Sequence, residues 1–319
     1  MATEPSLDGI RKAARDNREF LHRTPTVRSE TLGRLAGCEL FLKLENLQKT
    51  GSFKPRGALH NMRSLPEADR RRGVVTISAG NHAQGVAFAG RILGIPATVV
   101  MPESASPPKV EAARGYGARV VLHGDVRAAF AKLEEIRREE GLAYVHAFDD
   151  PRTVEGQGTL GLEILEEVPD AHAVVAGIGG GGLISGIAVA VKSLRPGTRM
   201  IGVEPEGAAT MRDSFRAGRP MRLERIDTIA DGLAPPFVGD LNFALCRDRL
   251  EAVVVVSDDE IRGAVRLLLE RCKVLAEPAG AAALAALLAR RAGIPPGARV
   301  VCVVSGGNVD RRRLAEILA

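Results

Sequence analysis

The sequence predicts an α/β protein of two lobes, each built on a mostly parallel sheet flanked by helices. Two observations carry that expectation. From about residue 73 onward, short apolar runs rich in β-branched residues alternate with helix-length amphipathic or apolar stretches, the pattern of successive βαβ units. At 319 residues, the chain is also longer than one ordinary core fills, and about nine strands suit two sheets around a cleft better than one.

Taken in order, ELFLKLE reads as an early strand, and the later units begin with GVVTIS followed by a helix from about Asn81 to Leu93. ATVVM precedes a helix from Pro107, and ARVVLH precedes one from Val126 to Glu139. AYVHAF leads to a helix from about Thr153 to Glu166, HAVVAGI to one from about Leu183, and RMIGVE follows as the next strand. EAVVVVS introduces helices near Asp259–Arg271 and Ala279–Arg290, and ARVVCVVS is the last buried strand. No repeat of fixed period and no Gly/Ser linker interrupts the series.

Composition narrows the function classes. Lys+Arg 44 against Asp+Glu 39 gives a net charge of +5, but the basic clusters are short and only two Tyr and no Trp are present, so no base-stacking surface for nucleic acid is expected. The most apolar stretch, from Gly280, is too short for a membrane span, and the N-terminus has no apolar signal region. Four scattered cysteines without a C-x-x-C pair suggest neither a disulfide framework nor a zinc site, and a cytoplasmic setting is expected. Only eight of the 44 basic residues are lysines, which makes the position of each lysine informative.

In parallel sheets ligands bind at the carboxyl ends of strands, and three strand exits have unusual composition. Gly177-Ile178-Gly179-Gly180-Gly181-Gly182-Leu183 follows a strand and opens a helix, so its N–H groups and the helix dipole suit a phosphate. It also matches G-x-G-x-x-G, with Glu204 about twenty residues on, which leaves a dinucleotide site open at this point. Ser78-Ala79-Gly80-Asn81-His82 suits a carboxylate, with Ser78 or Asn81 also able to cap the following helix. Ser305-Gly306-Gly307-Asn308 is a third polar, glycine-rich exit. Upstream, Lys54 lies in ENLQKTGSFKPRGA, a small-residue turn expected ahead of a helix, where a desolvated amine is a nucleophile or base and arginine is neither. No P-loop, H-E-x-x-H helix or G-x-S-x-G elbow is present.

Together KTGSFKPRGA, SAGNHAQGVA, the GGGGL run, TIADGLA, VLAEPAGAAALAAL and VVSGGNVD resemble, in order, the fold-type II pyridoxal-phosphate enzymes of the threonine/serine dehydratase and serine racemase group, whose fold is tryptophan synthase β-like. The resemblance spans nearly the whole chain and argues against a dinucleotide. It implies that Lys54 holds pyridoxal 5′-phosphate covalently beside Phe53, and that Asn81 bonds the cofactor's 3′-oxygen. It further implies that the amides of Gly179, Gly180, Gly181, Gly182 and Leu183 hold the phosphate, and that Ser305 faces the pyridine nitrogen. Ser78, Ala79, Gly80, Asn81 and His82 would take the substrate carboxylate.

The implied reaction is loss of the β-hydroxyl of L-threonine or L-serine, giving a 2-oxo acid and ammonia, with Lys54 as the base at Cα. The group also holds racemases and dehydratases acting on phenylserine or hydroxyaspartate. Racemases of the group carry a serine where this chain has Ala79, and a methyl group donates no proton, which favours dehydration. The group's divalent-cation site matches Glu204 and Ala208 but has Thr210 in place of an acid, so no metal is expected. The chain ends nine residues after SGGNVD, so a catabolic type without a regulatory domain is expected. The implied division is a large cofactor-binding domain of residues 1–67 and 148–319 and a small mobile domain of residues 68–147. A small-molecule amino-acid substrate and a homodimer or homotetramer are the expected partners, with no nucleic acid and no membrane.

Overall fold

The structure is a computed structural model and describes residues 4–319. Ten strands form two sheets: β1 Thr26–Arg28, β2 Glu39–Leu44, β3 Val74–Ile77, β4 Ala97–Met101, β5 Arg119–Leu122, β6 Ala143–Tyr144, β7 Ala173–Gly177, β8 Arg199–Pro205, β9 Ala252–Val256 and β10 Arg299–Val304. The larger sheet has the order β1-β2-β10-β7-β8-β9 and the smaller β5-β4-β3-β6. Every pairing is parallel except the edge pair β1–β2, in which Val27 faces Leu42.

The central strands are continuous apolar runs because both of their faces are covered. On one side of the large sheet, Val175, Ile201, Val203 and Val304 pack on the alanine-rich helix Pro278–Leu288. On the other, Val174, Val301 and Val303 meet Ile184 and Ile187 of the helix Gly182–Leu194. That helix is apolar all round and buried for ten successive residues, as a helix between a sheet and a second helix layer must be. Close approach to the helix Pro151–Glu167 is permitted by Gly158 and Gly186, since a Cβ on Gly186 would collide with the Val154 carbonyl and the Gly158 N–H. The small sheet has its own core, with Val74, Val99 and Met101 against Val86 and Ala87.

Beneath the helix Lys54–Arg63 lies a buried ionic network. The Arg56 guanidinium donates to both Glu45 oxygens, at 2.7 and 2.8 Å, and to both Glu163 oxygens, at 2.6 and 3.0 Å. Lys43, also buried, reaches Glu163 at 2.9 Å, Glu167 at 3.1 Å and the Thr24 carbonyl at 2.7 Å. The paired carboxylates hold the Arg56 pKa above its ordinary value against the opposing effect of burial.

The expected strands after residue 70 and ELFLKLE all form. β1 is an addition, and its three residues are too short and too exposed to leave a periodic signal. The helix expected over Asp259–Arg271 is α-helical only over Asp258–Leu267 and continues as a π-turn over Leu268–Cys272. Among the described residues no helix is long and apolar enough to cross a membrane.

Candidate active site

The exits of β3, β7 and β10 and the start of the helix Lys54–Arg63 converge between the two sheets. Lys54 is the first residue of that helix, not part of a turn ahead of it, because Pro55 in the first turn sets a helical φ without losing a needed N–H. The segment is tied to β10 by the Phe53 N–H on the Ser305 carbonyl, at 3.1 Å, and by a bridge between Ser52 and Gly306.

The Lys54 amine donates to the Ala147 carbonyl at 3.0 Å and lies 5.0 Å from the centre of the Phe53 ring. No carboxylate forms an ion pair with it among the described residues. Burial therefore lowers its pKa to about 8, and the charge of Glu277 only partly offsets that effect. At pH 7 such a lysine is still mostly protonated, but about a tenth of it is the neutral nucleophile, roughly a hundredfold more than for a solvated lysine.

The glycine loop packs on Phe148, the residue after the Ala147 whose carbonyl holds the lysine. Gly181 has φ +96°, a left-handed conformation that glycine adopts without strain, and a Cβ there would lie 2.7 Å from the Asn242 Cβ. Gly180 sits on the Phe148 ring, where a Cβ would clash. The helix that starts at Gly182 has no side-chain cap. The N–H groups of Gly179, Gly180 and Gly181 donate to no oxygen among the described residues, and those of Gly182 and Leu183 head a helix, where no intrahelical acceptor exists. A run of amides left open at the start of a buried helix fits a phosphate.

The exit of β3 differs from one expectation. Neither Ser78 nor Asn81 caps the helix Asn81–Leu93: its N-cap is Gly80, whose N–H goes to the Ser78 hydroxyl at 3.1 Å. The Asn81 amide is engaged elsewhere, donating to Glu277 at 2.6 Å and accepting from Asn308 at 2.8 Å. The uncapped helix start therefore keeps N–H groups available to a carboxylate. Nothing lies within 4 Å of where a Gly80 Cβ would be, so the loop borders open space. Ala79 is half-buried in this loop. His82 is turned away into the core, with Nε2 3.1 Å from the Val145 carbonyl, and burial lowers its pKa to about 3, so it stays neutral.

Ser305 is buried, and its hydroxyl donates to the Ala279 carbonyl at 3.4 Å, a long contact that leaves it available to a better partner. Away from the cleft, Glu204 accepts the Met211 and Arg212 amides at 2.7 and 2.9 Å, and burial raises its pKa to about 8.

Sequence reasoning missed Glu277. It is buried between Asn81 and Gly306, with its pKa raised to about 7 by burial against the lowering hydrogen bond from Asn81. Its only sequence signal was a carboxylate before Pro278 in the VLAEPAG motif. The Ala147 carbonyl and the Phe148 ring were also missed, since a backbone acceptor and a ring used as a floor leave no motif.

A desolvated lysine and an open glycine loop at a buried helix start, joined through the Ala147–Phe148 segment, define an enzyme that binds a phosphate-bearing carbonyl cofactor. The comparisons with known proteins agree, for the family described as pyridoxal-phosphate dependent enzymes matches residues 18–306. The chain belongs to that family. It is 46% identical over 314 residues to an L-threonine ammonia-lyase of Thermotoga maritima, a match covering 98% of this chain and 78% of the relative. It is 43% identical to a catabolic L-threonine dehydratase of Escherichia coli, with coverage of 98% and 95%. A phenylserine dehydratase of Ralstonia pickettii is 42% identical, with coverage of 99% and 97%. Among solved structures, maize serine racemase superposes with a TM-score of 0.95 at 37% identity, covering 99% of this chain and 97% of the other.

Proposed function

We propose that this chain is a threonine/serine ammonia-lyase that removes the β-hydroxyl and amino group of L-threonine or L-serine, giving 2-oxobutanoate or pyruvate with ammonia. The observation that carries the reading is the Lys54 amine, which is buried without a carboxylate partner and sits on the Ala147 carbonyl, one residue before the Phe148 ring that packs on a loop whose amides have no acceptor of their own. Bound pyridoxal phosphate supplies an electron sink for the substrate's Cα bond. Lys54 would anchor the cofactor through Nζ, and once the substrate's own amine had replaced it in that bond, the freed Nζ would be the base placed to take the Cα proton. The Gly179–Leu183 amides hold the phosphate, Phe53 flanks the ring, and Ser305 offers a neutral hydroxyl to the pyridine nitrogen. The amides of the Ser78–His82 loop hold the substrate carboxylate. Ala79 presents a methyl group with no proton to give, so reprotonation of Cα from that side is unsupported and elimination is favoured over racemisation.

The reading extends to the whole molecule. Of the described residues, 4–67 and 148–319 form the cofactor-binding domain, and residues 68–147 a smaller domain that moves against it. The enzyme acts as a cytoplasmic homodimer or homotetramer on a free amino acid. The test is optical and chemical together. Purified protein should be yellow and release a keto acid from L-threonine or L-serine, in a panel that includes phenylserine, hydroxyaspartate and both enantiomers. Lys54→Ala should lose both colour and ammonia release. A colourless active protein overturns the reading, and interconversion of L- and D-serine faster than pyruvate release would make the chain a racemase instead.

A further inference from the structure

Asn81 sits in a chain of hydrogen bonds whose polarity is set at one end by the backbone. The Thr50 carbonyl only accepts, so the group 2.7 Å from it on Asn308 is the amide nitrogen. That nitrogen also lies 2.8 Å from the Asn81 side chain, which must therefore present its oxygen there. The Asn81 amide nitrogen is then turned to the Glu277 carboxylate, at 2.6 Å. Both N–H groups of Asn308 are used, and one of the two on Asn81 is used. The second N–H of Asn81 has no partner among the described residues.

We propose that Glu277 and Asn308 are positioning residues that hold Asn81 as a hydrogen-bond donor to the bound cofactor. An unrestrained asparagine turns either face to a ligand, since its two ends are nearly the same shape. Here two side chains from the large-sheet part of the molecule remove that choice for a residue that begins a helix of the small-sheet part. Glu277 is itself fixed, because its own N–H donates to the Gly306 carbonyl at 3.1 Å and it forms the N-cap of the helix Pro278–Leu288. The donor–acceptor order thus runs from Thr50 through Asn308 and Asn81 to Glu277 without a gap.

The inference rests on the cofactor reading above, and a double-mutant cycle separates the two. Apoprotein is prepared from the wild type, Asn81→Ala, Glu277→Ala, Glu277→Gln, Asn308→Ala and the Asn81→Ala/Glu277→Ala pair. Pyridoxal-phosphate affinity is measured by fluorescence titration, and the visible band is recorded for each reloaded protein. Glu277→Ala and Asn308→Ala should each weaken binding by about tenfold, the size of one charge-assisted hydrogen bond, and displace the band in the same direction as Asn81→Ala. Glu277→Gln keeps an acceptor and should restore wild-type affinity within about threefold. In the Asn81→Ala background, Glu277→Ala should add little. An undiminished effect in that background overturns the inference, as does failure of glutamine to rescue. If Glu277→Ala does not fold, Asn308→Ala decides alone, and wild-type affinity and an unshifted band in that variant are likewise fatal. A wild-type protein that binds no pyridoxal phosphate would instead refute the cofactor reading.

Discussion

Lys54 and Arg56 stand two residues apart on one helix, and the chain treats their charges in opposite ways. Arg56 faces the interior of the large-sheet part and is enclosed by Glu45, Glu163 and Thr159. Lys54 faces the cleft with a carbonyl and an aromatic ring for company. A buried cation given carboxylates becomes inert structure, and one denied them becomes a reagent. Lys43 makes the same point, since it is as buried as Arg56 and equally supplied with carboxylates.

The contrast breaks most sharply at Lys54. Lys54→Met should lower turnover by on the order of 10⁴-fold, the upper range for loss of a general base, as measured by keto-acid release. The same substitution should stabilise the cofactor-free protein at pH 7 by about 1–2 kcal/mol in chemical denaturation, because a desolvated ammonium is removed. Arg56→Met should do the reverse. It leaves Glu45 and Glu163 buried beside an apolar side chain and should cost about 3–5 kcal/mol of stability. Any fraction that remains folded should still form the yellow complex. An Arg56 variant of wild-type stability would show that the network is not structural.

A smaller effect probes the opposite wall. Gly181→Ala places a Cβ against Asn242 at a left-handed position, and should cost about 1–2 kcal/mol of stability and weaken cofactor binding. Equilibrium dialysis with pyridoxal phosphate measures the second effect. The last prediction concerns pH. Because the Lys54 pKa is lowered from 10.5 to about 8, the neutral amine appears as pH rises through 8. The rate at which apoprotein develops visible absorbance should therefore climb to a midpoint near pH 8. A midpoint near 10 would mean that Lys54 is solvated like any surface lysine.

The contrast between the two cations was only half legible in the sequence. The scarcity of lysine and the small residues around Lys54 singled it out, and the strands that deliver the three polar loops were plain because buried parallel strands are unbroken apolar runs. Arg56 carried no signal at all, since its partners lie 11, 103 and 107 positions away. Glu277 and Asn81 are likewise separated by 196 positions, and only the fold brings them within 2.6 Å. β1 escaped notice for a different reason, being held by pairing with β2 and not by any burial pattern of its own.

The exit of β6 links two parts of the site that are far apart in sequence. The Ala147 carbonyl holds the Lys54 amine, and the next residue, Phe148, is the floor on which Gly180 and Gly182 rest. Tyr144, His146, Phe148 and Phe237 continue from there as a row of ring contacts with centres 4.6 to 5.5 Å apart. The short segment therefore serves both parts at once, since two adjacent residues supply the lysine's perch and the floor of the glycine loop.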